Sequence, residues 1–181
     1  MMARTWQQDL IARHPEFFIR TFRDRPFSPG WPTCDDGWAA LVTKAVERIA
    51  AAAAGYPLHF TQIKSKYGTL RMYGMAEAPL PKAVDLAVEE AIALAEARSA
   101  CTCENCGAEG RLHTRGCWLS TACAAHARGA PVPVRQGMED LHIVRGFVGE
   151  DVRIIACRRY DRETDNFIDV DPRALGIGDE Q

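Results

Sequence analysis

The feature that most restricts how this 181-residue chain can fold is a cysteine-rich segment between Cys101 and His126. It contains Cys103-Glu104-Asn105-Cys106-Gly107, a C-x2-C pair closed by glycine, and then Cys123-Ala124-Ala125-His126, a C-x2-H pair. Two ligands three residues apart on a tight turn can converge on one ion, and the glycine after the second cysteine permits that turn. The amides of the turn can also donate hydrogen bonds to the sulfurs. Three soft thiolates and one imidazole suit zinc and disfavour magnesium or calcium. The expected ligands are therefore Cys103, Cys106, Cys123 and His126, with Zn2+ as cofactor. Within this reading Cys117 or His113 can replace Cys123 or His126, and Cys101 lies close enough to compete. Four protein ligands leave no open position for water, so the ion is expected to be structural. It would fix a loop-rich segment whose own core is too small to hold it.

Seven cysteines is an odd number, which excludes a fully paired disulfide framework. The stretch Met1 to Asp9 has no apolar signal core, and the alanine run Ala50 to Ala54 falls far short of a membrane span. A reduced, cytoplasmic protein is the expectation. Hydrophobic residues at 47% and charged residues at 25% fit a globular chain rather than a disordered one. A net charge of −2 excludes a wholly basic nucleic-acid coat but leaves room for a local basic face.

Periodicity predicts a first helix over Trp6 to Arg13, limited by Pro15. An irregular loop follows from Pro26 to Gly37, where Asp35 or Asp36 can cap the next helix. That helix runs to about Ala54 with Leu41, Ala45, Ile49 and Ala52, joined by Val42 and Val46, on its core face and Gly55 as its stop. Leu58 to Tyr73 reads as a hairpin turning through Lys66-Tyr67-Gly68, where Gly68 can adopt positive φ. A third helix is expected over Lys82 to Arg98. Val84, Val88, Ala91 and Ala95 form its stripe, Leu86, Ile92 and Leu94 widen it, and Glu89, Glu90 and Glu96 face solvent. Pro131 and Pro133 mark a stiff connection. Leu141 to Val148 fits a helix or a strand equally, whereas Val152 to Tyr160 and Asn166 to Val170 read as a hairpin, with a frayed end beyond. The expected fold is α+β, with helices packed on short antiparallel hairpins and an inserted zinc-ribbon-like segment. The expected organisation is a helical and hairpin core over 1–100, a zinc knuckle over 101–130, and a carboxy-terminal β-hairpin extension over 131–181 packed on the core.

Several motifs occur in a fixed order: Asp36-Gly37-Trp38; Gln62, Lys64, Lys66, Tyr67, Gly68, Leu70 and Arg71 in the hairpin; Ala95, Glu96 and Ser99; Cys103 through Gly107; and Trp118, Thr121, Cys123, His126 and Ala127. In this order the chain resembles a group of small, largely uncharacterised phage and bacterial zinc-knuckle proteins. The resemblance spans about Asp35 to Ala127. It implies the ligand choice Cys103, Cys106, Cys123 and His126, and it implies no activity. The chain departs from the pattern at Cys117, where glycine is expected, and at Thr69.

From Gly55 to Ala76 the basic residues Lys64, Lys66 and Arg71 have no acidic neighbour and alternate with aromatic residues, Tyr67 among them. Lys64, Lys66, Tyr67 and Arg71 are thus candidate contacts to a partner or a nucleic acid, against the plainer reading of a solvated hairpin. Arg20, Arg23 and Arg25 around Phe17, Phe18, Phe22 and Phe27 read as core phenylalanines with wet arginines, or as a docking segment. Residues 138–181 carry a net charge of −5. Cys157 reads as a buried small hydrophobe. Cys34, in an exposed-looking loop, is the better candidate for a reactive thiol.

Enzymatic readings find little support. The zinc-deaminase combination of H-x-E with P-C-x-x-C is absent, and so is the metalloprotease H-E-x-x-H. An HNH-like nuclease would need a general-base His and a downstream Asn. His113 stands alone before Thr114, and no suitable Asn precedes Asn166. No catalytic residue is assigned. The acidic balance favours a zinc-stabilised binding protein, a phage- or mobile-element-type modulator that takes a protein partner. The alternative is a nucleic-acid-binding accessory protein that uses the basic aromatic hairpin.

Overall fold

The computed structural model describes residues 4–178. Thr5 opens helix α1 (Trp6–Arg13) with a capping box: its hydroxyl accepts from the Gln8 amide at 3.3 Å, and the Gln8 side chain accepts from the Thr5 amide at 3.0 Å. Pro15 does limit α1, and it also starts a second helix, α2 (Pro15–Phe18), where its missing N–H costs nothing. Phe17 and Phe18 enter the core. Phe22 and Phe27 do not: they lie exposed on β1 (Arg20–Phe22) and β2 (Arg25–Phe27), so the aromatic cluster is split. This small hairpin turns through Arg23 and Asp24, both at positive φ.

Strand β3 (Pro32–Thr33) and a 3-10 turn over Asp36–Trp38 lead into α3 (Ala39–Ala52). Neither aspartate caps α3 as expected, because both carboxylates are engaged elsewhere. Asp36 Oδ1 accepts from Trp6 Nε1 at 2.9 Å, and Asp35 Oδ2 accepts from Asn105 Nδ2 at 2.7 Å. Leu41, Val42, Ala45, Val46 and Ile49 form the buried face of α3, and Gly55 at φ +84° turns the chain away.

The expected hairpin consists of β4 (Leu58–Lys66) and β5 (Thr69–Ala76), with β3 parallel to the far edge of β4. Tyr67 and Gly68 both have positive φ, the two-residue turn whose twist matches that of the strands. Leu58, Phe60, Ile63, Leu70 and Met72 point inward. A bulge between Phe60 and Gln62 switches the parity, which places Lys64 and Lys66 on the outer face. Helix α4 (Lys82–Ala100) packs on α3 and β5 through Val88, Ala91 and Ala95. Two expectations for α4 fail. Leu86 is exposed, and Glu96 leaves solvent to pair with Arg71 at 2.6 Å. Trp38, Phe18, Phe60 and Leu10 are the largest fully buried side chains of this core, each contributing about 1.5–3 kcal/mol of hydrophobic stabilisation.

After α4 a third sheet holds β6 (Arg111–Arg115), β7 (Trp118–Ala122) and β8 (Ala130–Pro131) in the order β7-β6-β8. The chain then divides into two compact units at Pro131/Val132. The second unit contains β9 (Leu141–Val148), β10 (Asp151–Asp161) and β11 (Asn166–Asp169), an antiparallel sheet in the order β11-β10-β9. Leu141 to Val148 is thus a strand. Cys157 is buried there as expected, Tyr160 is buried too, and Arg158 stacks on Phe167 at 4.1 Å.

The architecture is α+β, with four α-helices and four small sheets among the described residues. No helix among them is long and apolar enough to cross a membrane. Part of the amino-terminal stretch read for a signal core, Met1 to Ala3, lies outside the described residues. The same holds for residues 179–181 of the end expected to fray.

Candidate metal centre

The end of α4 sets the first half of the centre. Thr102 donates its hydroxyl to Arg98 O at 2.7 Å, and Cys103 leaves the helix fully buried. A tight turn follows, closed by Cys103 N to Ala108 O at 2.8 Å and Gly107 N to Cys103 O at 2.9 Å, with Gly107 at φ +76°. The second half is the turn after β7, where His126 N and Ala127 N both donate to Cys123 O. Glu104 N to Thr121 O, at 3.1 Å, ties the two halves together.

These turns bring Cys103, Cys106, Cys123 and His126 together, with all four donor atoms within 4.8 Å of one another. Cys106 Sγ lies 3.7 Å from Cys123 Sγ. His126 Nδ1 lies 3.3 Å from Cys123 Sγ and 3.7 Å from Cys103 Sγ. A tetrahedral ion with bonds of about 2.3 Å to sulfur and about 2.0 Å to nitrogen has ligand-to-ligand edges of about 3.8 and about 3.5 Å. Three of the six donor separations lie near these edge lengths and all four donors fall within 4.8 Å of one another, so they could hold a metal ion. None of the seven cysteines forms a disulfide.

The competing ligands stand elsewhere. Cys101 is buried with its thiol on Arg98 O at 3.3 Å, and His113 is buried with Nδ1 on Arg111 O at 2.8 Å. Cys117 is exposed in the β6–β7 turn. A His-x-Glu triplet does occur, at His14-Pro15-Glu16, but it opens α2 and contributes nothing to the cluster. The Cys123 thiol is pulled down to about 6, chiefly by its hydrogen bond with His126 and also by the His126 and Ala125 amides. The Ala108 amide acts in the same direction on Cys106, but desolvation and the neighbouring sulfurs outweigh it and raise that thiol.

The residues behind the knuckle come from far along the chain. Gly37 donates its amide to Glu104 O at 2.8 Å, and Trp38 Nε1 donates to Thr102 O at 2.8 Å. Ser99 Oγ accepts from the buried Leu70 amide at 2.8 Å and donates to Glu96 O. Thr121 donates its hydroxyl to Gly68 O at 2.6 Å, which pins the turn of the β4–β5 hairpin onto β7. Asp36-Gly37-Trp38, the hairpin turn, Glu96 and Ser99 thus form one bonded frame around the cysteine turns. No protein-family model, curated protein or solved structure matches the chain.

Beside the centre lies a cleft of about 1160 Å3, between the tip of the β4–β5 hairpin and the β6–β7 sheet. Lys66 and Tyr67 form part of one wall, Arg115 and Trp118 part of another, and Ala125 to Arg128 continue from the cysteine turn. The four candidate contact residues of the hairpin have different surroundings. Lys66 extends over the Tyr67 ring at 5.1 Å, and Lys64 is half-buried on β4. Arg71 is engaged by Glu96, by Thr69 and by Leu70 O. Sequence reasoning passed over Arg115 and Arg128 and left Trp118 without a role. The sign of their proximity was the C-x2-H turn itself, which carries Arg128 just past its last ligand.

Cys34, expected to be exposed, is buried at 7% relative accessibility. Burial, with Glu104 and Asp35 nearby, pushes its thiol up to about 12. It is not a reactive cysteine at neutral pH. Burial also raises Glu104, although the Ser65 hydroxyl on its carboxylate at 2.9 Å acts the other way.

Proposed function

We propose that this chain is a non-enzymatic binding module whose cysteine turns hold one structural zinc ion. The observation that carries this reading is the convergence of the four donors within 4.8 Å, with three of their separations, 3.3 to 3.7 Å, near the edge lengths of a zinc tetrahedron. Bound there, zinc would supply a cross-link between the turn after α4 and the turn after β7, and no open coordination site. Cys103, Cys106, Cys123 and His126 fill the set, and the Glu104 N to Thr121 O hydrogen bond holds the two turns in register. The segment is then zinc-ribbon-like in role: a hairpin, β6–β7, fastened at its open end by metal. The resemblance of its motif order to that of phage and bacterial zinc-knuckle proteins points the same way.

Charge bears on the partner. The acidic excess that favoured a protein partner is concentrated in residues 132–181, with 11 acidic and 7 basic side chains; residues 1–131 carry 13 acidic and 15 basic. The unit with the cysteine cluster is therefore mildly basic, which reopens the nucleic-acid alternative for its surface.

Elemental analysis of the purified chain should find about one zinc per molecule. Cys103→Ser combined with Cys106→Ser should remove most of it and lower the unfolding midpoint. Full zinc content in that double variant would overturn the assignment.

A further inference from the structure

We infer that the cleft beside the cysteine turns binds single-stranded nucleic acid, with Tyr67 and Trp118 as stacking platforms and Lys66, Arg115 and Arg128 as phosphate contacts. This rests on the binding-module reading above, since the cysteine turn after β7 forms one wall.

Three observations converge on the cleft. First, Trp118 is 76% exposed and Tyr67 67% exposed, and both line this one space. Aromatic rings of this size are normally buried, so two on one cleft are unused by the fold. The fold nevertheless fixes where they stand. Tyr67 sits in a turn at φ +55° whose neighbour, Gly68, is bonded to Thr121, and Trp118 begins the strand that carries Thr121. Rings held on rigid turns can stack without a large ordering cost.

Second, the cations have no anion to serve. Among the described residues no ion pair involves Lys66, Arg115 or Arg128. Arg115 and Trp118 are cross-strand neighbours, and Lys66 lies over Tyr67, so each ring has a cation beside it. Base stacking next to a backbone contact is the arrangement by which single strands are held without sequence readout. Third, the two carboxylates of the cleft are otherwise engaged. Asp35 accepts from Asn105 at 2.7 Å, and Glu104 accepts from Ser65 at 2.9 Å. Three cations, Lys66, Arg115 and Arg128, thus face two carboxylates, Asp35 and Glu104, and the excess charge on the walls is positive. A duplex cannot present base faces to these rings, and an acidic peptide has anions but no planar bases to stack on them. At about 1160 Å3 the cleft exceeds the usual small-molecule pocket of about 300–1,000 Å3.

The test is fluorescence anisotropy on the full-length protein, with the zinc content of each preparation measured in parallel. The probes are fluorescein-labelled oligothymidylate and oligouridylate, a labelled duplex, and labelled polyglutamate. Binding of either single strand in preference to the duplex and to polyglutamate is expected, and the two single strands distinguish DNA from RNA. Trp118→Ala should weaken binding about 5- to 100-fold. Tyr67→Asn should weaken it similarly, and asparagine tolerates positive φ, so folding of the turn is preserved. Arg115→Ala and Arg128→Ala should each flatten the slope of log affinity against log salt by about 0.7. Fully zinc-loaded protein that binds neither single strand overturns the inference and leaves the metal reading intact. Equal binding of polyglutamate or duplex overturns it, as does single-strand binding indifferent to both Trp118→Ala and Tyr67→Asn. Zinc-free protein that binds single strands through these rings upholds the inference and removes the metal reading instead.

Discussion

A methyl group on Gly37 has nowhere to go, because its carbon would lie 2.4 Å from the carbonyl oxygens of both Cys103 and Glu104 and 2.6 Å from the Cys106 amide. The bare backbone of residue 37 is therefore the surface on which the knuckle is moulded. Spacing reveals a pair of ligands, but not the residue about seventy positions earlier that supports them; only the resemblance placed Asp36-Gly37-Trp38 in the same pattern. The Cys34 expectation failed for a related reason. A loop with three prolines and two glycines reads as exposed, yet β3 beside β4 carries it under the knuckle. With its thiol raised to about 12, Cys34 favours the folded state fully below the ordinary thiol value near 9. That contribution is lost as the pH rises from there through 12. Native-state alkylation at pH 8, read by mass spectrometry, should therefore modify the exposed Cys117 within minutes and spare Cys34. Labelling of both thiols at the same rate would contradict this placement.

At the scale of elements, the amphipathic stripe of α3, the stripe of α4 and the β4–β5 hairpin were all legible from periodicity, since each buries one face against a single core. The β1–β2 and β6–β7 hairpins were not. Their strands are three to five residues long, too short for an alternating pattern to stand out, and are held by turns and by their neighbours. Glu96 shows how tertiary context overrides a helical wheel. It sits half-buried against Arg71, and burial raises its carboxyl group although the guanidinium opposes this. One turn further on, Ser99 is fully buried and satisfies the Leu70 amide of β5. Ser99→Ala removes that partner and strands a buried N–H, so it should cost about 1–3 kcal/mol in urea unfolding, with an unchanged denaturant slope. Ser99→Thr, which keeps the acceptor, is the control for the loss of the hydrogen bond alone.

For the whole molecule, the bonds that assemble the first unit fall into two classes of sequence separation. Trp38 to Thr102 spans 64 residues and Gly68 to Thr121 spans 53, whereas Cys103 and His126 are 23 apart. Loop closure becomes costlier with length, and distant pairings slow a chain's search for its native contacts. Thr102, Glu104 and Thr121 lie within or next to the short loop that a metal would close. A chain that captured zinc early would present these three groups to the distant Trp38, Gly37 and Gly68 already arranged. Refolding followed by stopped-flow fluorescence should then be faster with zinc in the refolding buffer than with zinc added after collapse, even where both end at the same stability. Equal rates would assign the metal a part in endurance alone. With zinc bound early, the two turns that look like a fastening in the finished molecule would also set a sequence of events: the last quarter of the first unit would organise itself, and the earlier three-quarters would close around it.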